Sequence, residues 1–246
     1  MEINKFKKVG KSKYKLVFNN TDITIYEDII LKYNLLIKND IDEELLDKII
    51  EENRYYEAYY TALSYIEIRM RNKKEINIYL TKKGYDKKYI EFAISKLEEL
   101  NLLNDNSYIV AFINDKVNLS NDGPNKIKKN LLDLDFNERD IDSYLSKIDD
   151  EVWNDKIKKI INKKKSLMKS KSYYMFILKM KNDLYNLGYD KNMIDDNLSN
   201  IEYVSNAIEK DFDKCFKKFK GDKTKILNSM IRKGYSYEEV NSLFNK

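Results

Sequence analysis

The chain has no histidine, one cysteine, one proline and six glycines in 246 residues. Each shortage excludes something. Without histidine the commonest general base is missing, and with it the usual nucleophilic triads. A single cysteine, Cys215, permits no disulfide within the chain, and zinc sites of the Cys/His type are ruled out. So little proline and glycine argues against sandwiches and barrels, which need many tight turns. No apolar run approaches the ~18 residues of a membrane span, and the Lys-rich N-terminus lacks the apolar segment of a secretory leader. A cytoplasmic protein with no membrane association is expected. Of 46 Lys and Arg only 5 are Arg, against 41 Asp plus Glu. The net charge of +5 permits a polyanionic partner without requiring one. The excess of Lys over Arg, with abundant Asn, Ile and Tyr, fits the codon bias of an AT-rich genome.

What the chain does have is an internal repeat. Lys83-Gly84-Tyr85-Asp86 with Ile90 returns as Leu134-Asp135-Phe136-Asn137 with Ile141. It returns again as Leu187-Gly188-Tyr189-Asp190 with Ile194, and as Lys233-Gly234-Tyr235-Ser236 with Val240. Four and eight residues before each Gly position stand Leu80 and Ile76, Leu131 and Ile127, Leu184 and Met180, Met230 and Ile226. Beyond it the stripe continues as Ile94 and Leu97, Leu145 and Ile148, Leu198 and Ile201, then Phe244. These offsets suit one face of a helix. Glycine ends the first helix in the left-handed conformation. Asp135 takes that conformation less readily, so a looser turn is expected there. Asp86, Asn137, Asp190 and Ser236 are good N-caps for the next helix, with Glu239 completing a capping box at the last. The aromatic before each cap stands at hydrophobic-staple distance from the next apolar anchor.

A further helical segment precedes each motif, over Glu52–Arg69, Ser107–Asn118, Glu151–Lys169 and Glu202–Lys218, giving three helices per unit. A unit this small buries little surface alone, so neighbours must stack. The N-terminal part differs. Tyr14–Phe18 and Asp22–Tyr26 predict two strands around Asn19-Asn20-Thr21, Glu2–Val9 a third, followed by a helix Glu27–Tyr33 and a longer one from Asp42. The expected fold is mainly α: tandem three-helix repeats in an elongated, curved array behind a short N-terminal β-hairpin or meander. The expected divisions are residues 1–50 for the extension, then repeats over 51–103, 104–149, 150–201 and 202–246.

Arg69-Met70-Arg71-Asn72-Lys73-Lys74-Glu75, then Leu80, Lys83-Gly84-Tyr85 and Ile90, resembles the signature region of RecX proteins. So do Leu97-Glu98-Glu99-Leu100-Asn101-Leu102-Leu103-Asn104-Asp105 with Tyr108, Ala111 and Phe112, and the turn Gly123-Pro124-Asn125-Lys126-Ile127. The N-terminal strands with Glu27–Tyr33 resemble the extension of the longer Gram-positive-type members. One departure stands out: members are often Arg-rich in the first helix of the second repeat, where this chain has Asn114-Asp115-Lys116-Val117-Asn118. The resemblance implies repeats lying along the groove of a RecA filament on DNA. It implies modulation, chiefly inhibition, of the filament's ATPase, strand-exchange and coprotease activities in recombination and repair. It implies no cofactor, no metal and no catalytic residue, and a monomer is expected.

Candidate partner-binding residues fall in two groups. Arg69, Arg71, Lys73, Lys74, Lys82 and Lys83 flank the second helix of the first repeat. Lys126 opens the second helix of the next, and the densest run is Lys156, Lys158, Lys159, Lys163, Lys164, Lys165, Lys169 and Lys171. Either group reads as a surface for phosphates or acidic protein residues, or as a solvated helix face. Tyr173 and Tyr174 read as core rather than as base-stacking platforms. Tyr55, Tyr56, Tyr59, Tyr60 and Tyr65 read as a core stripe, Trp153 as a packing anchor, and Cys215 as a small buried hydrophobe. The pairs Glu98-Glu99 and Asp149-Asp150 read as solvated helix ends, so the chain reads as a non-enzyme. Two other functions stay open: weak, sequence-independent contact with single- or double-stranded DNA, and a generic helical adaptor for another protein.

Overall fold

The computed structural model describes residues 1–19, 21–38, 40–168, 171–199, 201–203, 205 and 207–244. The expected turn residue Asn20 and the basic residue Lys169 lie outside them. The chain forms two compact units, Met1–Tyr108 and Ile109–Lys246.

In the first unit, β1 (Lys5–Lys8), β2 (Lys13–Val17) and β3 (Asp22–Tyr26) pair antiparallel in the order β1-β2-β3. Phe6 stands opposite Leu16, and Leu16 opposite Ile23. Period-two alternation sends Leu16 and Ile25 into the core and turns Lys5 and Lys7 outward, while Lys8 is exposed at the end of the edge strand. The β3 edge is closed from a helix, because the Asn53 amide accepts from Tyr26 N at 2.9 Å and donates to Thr24 O at 3.1 Å. A short α1 (Glu27–Lys32) follows. The 26-residue α2 (Glu43–Ile68) starts at Asp42, whose carboxylate accepts from Leu45 N at 2.7 Å, and runs without a break through residues 50 and 51. With α3 (Lys73–Lys82) and α4 (Lys87–Glu99) it encloses Ala58, Ala62, Ile76, Leu80, Ala93 and Leu97, all fully buried. The three alanines face into that core.

α5 (Asp105–Leu119) carries the chain into the second unit, which continues with α6 (Pro124–Leu132), α7 (Glu138–Leu145) and α8 (Asp150–Leu167). After these come α9 (Tyr173–Asn186), α10 (Lys191–Leu198), α11 (Ala207–Phe219), α12 (Lys223–Arg232) and α13 (Tyr237–Leu243). The apolar pairs upstream of each turn, Ile76 and Leu80, Ile127 and Leu131, Met180 and Leu184, Ile226 and Met230, are fully buried.

All four turns close alike. Gly84, Asp135, Gly188 and Gly234 have φ of 87°, 67°, 88° and 85°. The next N–H (Tyr85, Phe136, Tyr189, Tyr235) bonds back to Leu80, Leu131, Leu184 and Met230, at 3.2, 3.3, 3.2 and 3.3 Å. This is the Schellman closure, and Asp135 makes it as tightly as the glycines do, so the expectation of a looser turn is corrected. The caps are less uniform. Asn137, Asp190 and Ser236 accept from the first turn of α7, α10 and α13, Ser236 within a capping box, whereas Asp86 makes no side-chain cap bond. α11 begins at Ala207 and not at the expected Glu202. Tyr203 and Ser205, before that helix, give their hydroxyls to the Lys171 carbonyl at 3.0 and 2.6 Å. No helix among the described residues is long and apolar enough to cross a membrane.

Candidate recognition surfaces

The first cationic group is largely tied down by its own neighbours. Asn72 caps α3 by accepting from Glu75 N at 2.8 Å, and Glu75 reaches back to Asn72 N at 3.2 Å. The same Glu75 carboxylate holds Arg69 at 2.5 Å and Arg71 at 3.4 Å. The Arg71 guanidinium lies 4.0 Å over the Tyr65 ring, itself stacked on Tyr79. Lys73 bridges Glu98 at 2.5 Å and Asp105 at 3.6 Å. Lys74 is half-buried, while Lys82 and Lys83 stand exposed at the end of α3.

Lys126 and Lys156 are built into the second unit. Gly123 gives α6 no side-chain cap, so its free N–H groups go elsewhere: Gly123 N donates to Leu187 O at 2.6 Å and Asn125 N to Gly188 O at 3.0 Å. The start of α6 is thereby seated on the turn after α9, each end satisfying the other's unpaired backbone groups. Buried Asp122 holds Lys126 at 2.7 Å and Lys116 at 3.4 Å. Burial alone would raise the Asp122 pKa, but the two ammonium groups pull it below the ordinary carboxylate value. The Tyr189 hydroxyl, with its pKa pushed up to about 12 by burial and then by Asp122, stays protonated and donates to Asn121 O at 3.2 Å. Lys156 donates to the carbonyls of Val117 (2.8 Å) and Lys116 (3.2 Å) in the last turn of α5 and lies over Trp153. Burial lowers its pKa, with Asp122 opposing.

The rest of the Lys-rich run lies along α8. Trp153, Ile157, Ile160 and Ile161 form its buried row, which turns Lys158, Lys159 and Lys163 outward. Lys158 faces Asp155 only loosely, at 3.7 Å, and Lys164 pairs with Asp183 at 3.2 Å. Lys159, Lys163 and half-buried Lys165 make no ion pair among the described residues. Lys171 is exposed just before α9. The sequence candidates thus split. Arg69, Arg71, Lys73, Lys126, Lys156 and Lys164 serve internal links, whereas Lys82, Lys83, Lys159 and Lys163 project into solvent.

Tyr173 and Tyr174 correct the core reading: they are 48% and 56% exposed. The inward row of α9 is already filled by Phe176, Met180 and Leu184, so helical spacing turns both tyrosines out. Tyr185, 70% exposed, was not singled out by the sequence and stands on the same helix. It borders a groove of about 570 Å³ lined also by Asn125, Lys126, Lys129, Asn130 and Asn186. Its signal was the i, i+4, i+11 spacing of Tyr174, Leu178 and Tyr185, three residues that remain exposed. Trp153 and Cys215 are buried as expected. On α2 only Tyr59 is fully in the core, and the other four tyrosines are half-buried. Glu98 serves the Lys73 bridge and Asp149 caps α8.

These features define a helical-repeat protein that offers cationic and aromatic surface. A family model described as the first three-helix domain of RecX matches residues 58–97. A regulatory protein RecX of Streptococcus agalactiae serotype V is 30% identical, covering 98% of both chains. One of Oceanobacillus iheyensis is 24% identical over 97% of this chain and 94% of its own. A crystal structure of a regulatory protein RecX superposes with TM-score 0.70 at 20% identity, covering 81% of this chain and all of that one. Another, from Lactobacillus salivarius, gives 0.56 at 26% identity over 60% and 96%. The chain belongs to the RecX family of regulatory proteins.

Proposed function

We propose that this protein binds the RecA recombinase filament on DNA, as a cytoplasmic monomer, and lowers its ATPase, strand-exchange and coprotease activities. The observation that carries this reading is family membership along almost the whole chain, at 30% identity over 98% of it. Tandem three-helix units, divided as the sequence repeat divides them, support it. They offer many weak contacts to a polymer that presents the same site repeatedly, and such contacts add. The solvent-facing Lys82, Lys83, Lys159 and Lys163 supply the cations for an acidic or phosphate-bearing face. Direct, sequence-independent contact with DNA is the second reading, favoured by exposed Tyr173 and Tyr174 beside Lys171.

The test is DNA-stimulated ATP hydrolysis by the cognate recombinase, titrated with this protein well below one per protomer at two salt concentrations. A substoichiometric fall in rate is expected. No change at any ratio, with the filament shown intact, would overturn the reading. A fall reproduced by the protein's sequestering of bare DNA would favour the second one.

A further inference from the structure

Three of the four repeat turns carry glycine in the left-handed region, and two of them are covered by the start of another helix, Gly188 by its main chain and Gly234 by a side chain. At Gly188 the start of α6 comes so near that a Cβ would lie 2.9 Å from Lys126 Cα and 2.5 Å from Lys126 Cβ. At Gly234 a Cβ would lie 2.5 Å from the Cβ of Tyr174, at the start of α9, and the Ser172 hydroxyl donates to Lys233 O at 2.5 Å. In each case the carbonyl end of one helix receives the first turn of another, which joins opposite ends of two helix dipoles.

The turn at Gly84 has the same backbone. Its φ is 87°, and it is closed by Gly84 N to Thr81 O at 3.0 Å and Tyr85 N to Leu80 O at 3.2 Å. Yet among the described residues nothing beyond its chain neighbours lies within 4 Å of the position a Cβ would take there, and Thr81, Lys82, Lys83 and Gly84 are all exposed. The chain twice builds this socket and fills it with a helix start, and the third time leaves it open.

We propose that the Gly84 turn is a docking socket for the first turn of an α-helix in the recombinase filament, a proposal that rests on the partner named above. The docked helix would carry a small or hydroxyl residue at its N-cap, in the place of Gly123 or Ser172. Lys82 and Lys83 beside the socket favour an acidic first turn on that helix, the charge its own dipole also favours.

The test compares filament binding by the wild-type protein, Gly84→Asn and the charge-reversed K82E/K83E. Asparagine adopts left-handed backbone with little strain, as Asp135 does at the same place in the second repeat, and puts its side chain where the docked backbone must come. Binding roughly tenfold weaker or worse is expected for Gly84→Asn, with its thermal midpoint within a few degrees of wild type. K82E/K83E, which leaves the backbone untouched, should weaken binding about fivefold and make it less salt-sensitive. Cys215 is buried, so K83C can be labelled selectively with a photocrosslinker, and its adduct should map to the first turn of a recombinase helix. Wild-type affinity in both variants, or an adduct on DNA or on a strand, would overturn the socket and leave the filament reading standing. Failure of the wild-type protein to bind filaments would overturn both.

Discussion

The two units solve the same packing problem by different means. In the first, strand and helices meet through side chains. Tyr26 stacks on Tyr60 at 4.3 Å, Tyr65 on Tyr79 at 3.9 Å, and Tyr55 meets Tyr89 edge-on at 4.8 Å. Lys96 lies over Tyr56 and Tyr59 while its ammonium reaches Asp28 at 3.0 Å. In the second, α11, α12 and α13 share a small core of Ala207, Cys215, Ile226, Met230, Tyr235 and Val240. Successive three-helix groups are joined in this unit at Gly188, where backbone is seated on backbone, and at Gly234, where the Tyr174 side chain and the Ser172 hydroxyl cover the turn. Side-chain interfaces tolerate repacking, because volume can be redistributed among neighbours. A seat in which a Cβ would strike main chain has no such latitude. Identical turn geometry therefore has different consequences in the two units.

Alanine at the glycines is the sharpest way to break that comparison. Gly188→Ala combines a left-handed φ with a collision against Lys126 and is expected to cost at least ~3 kcal/mol in denaturant unfolding. Gly84→Ala meets open space and should cost only about 1 kcal/mol, the backbone penalty alone. Equal losses would mean that the seat in the second unit contributes nothing beyond φ.

Next in size is acid sensitivity. In the second unit Asp122, Asp183 and Asp211 are each drawn below the ordinary carboxylate value; burial opposes this, but Lys126 and Lys116, Lys179 and Lys164, and Lys233 with Tyr235 outweigh it. A depressed folded-state pKa stabilises above the unfolded value near ~4 and is lost as pH falls through the folded one. Hydrogen exchange followed from pH 7 downward should thus show protection in residues 109–244 falling once the pH drops below about 4. The first unit has Glu52 in a similar position, so its protection should fall less. Uniform loss across both units would count against this.

Smaller effects sharpen the contrast. Asp190→Ala removes a cap bond to Met193 N at 2.9 Å and should cost about 1 kcal/mol, whereas Asp86→Ala, with no such bond, should be near neutral. Lys156→Ala should cost about 1 kcal/mol by leaving two α5 carbonyls without their donor. K159E/K163E should leave the thermal midpoint unchanged and weaken filament binding in low salt.

Much of this was legible in the chain. The buried row around Ile76 and Leu80 and its three repeats, the left-handed turns and the β1-β2-β3 hairpins all follow from local spacing. So do the caps at Asn137, Asp190 and Ser236. The surfaces were less legible, because lysines look alike in sequence. Lys156 and Lys159 are three residues apart, yet one is folded under α5 and the other faces water, according to which side of α8 Trp153 and Ile157 occupy. Tyr173 and Tyr174 were misplaced for the complementary reason: apolar character says that a residue prefers burial, not that the inward row has room. The α11 start was misjudged because hydroxyl bonds from Tyr203 and Ser205 to Lys171 join residues more than thirty positions apart.

The sequence by itself determined where helices end and which face of each is apolar, since both are fixed by contacts within a few residues. Only the tertiary structure decided that Gly188 and Gly234 are seats while Gly84 is open. It likewise assigned Arg71 to Tyr65, Lys96 to Asp28, and the tyrosines of α9 to the outside. Those outcomes depend on which distant segment arrives at a given turn or face, and local spacing carries no record of that arrival.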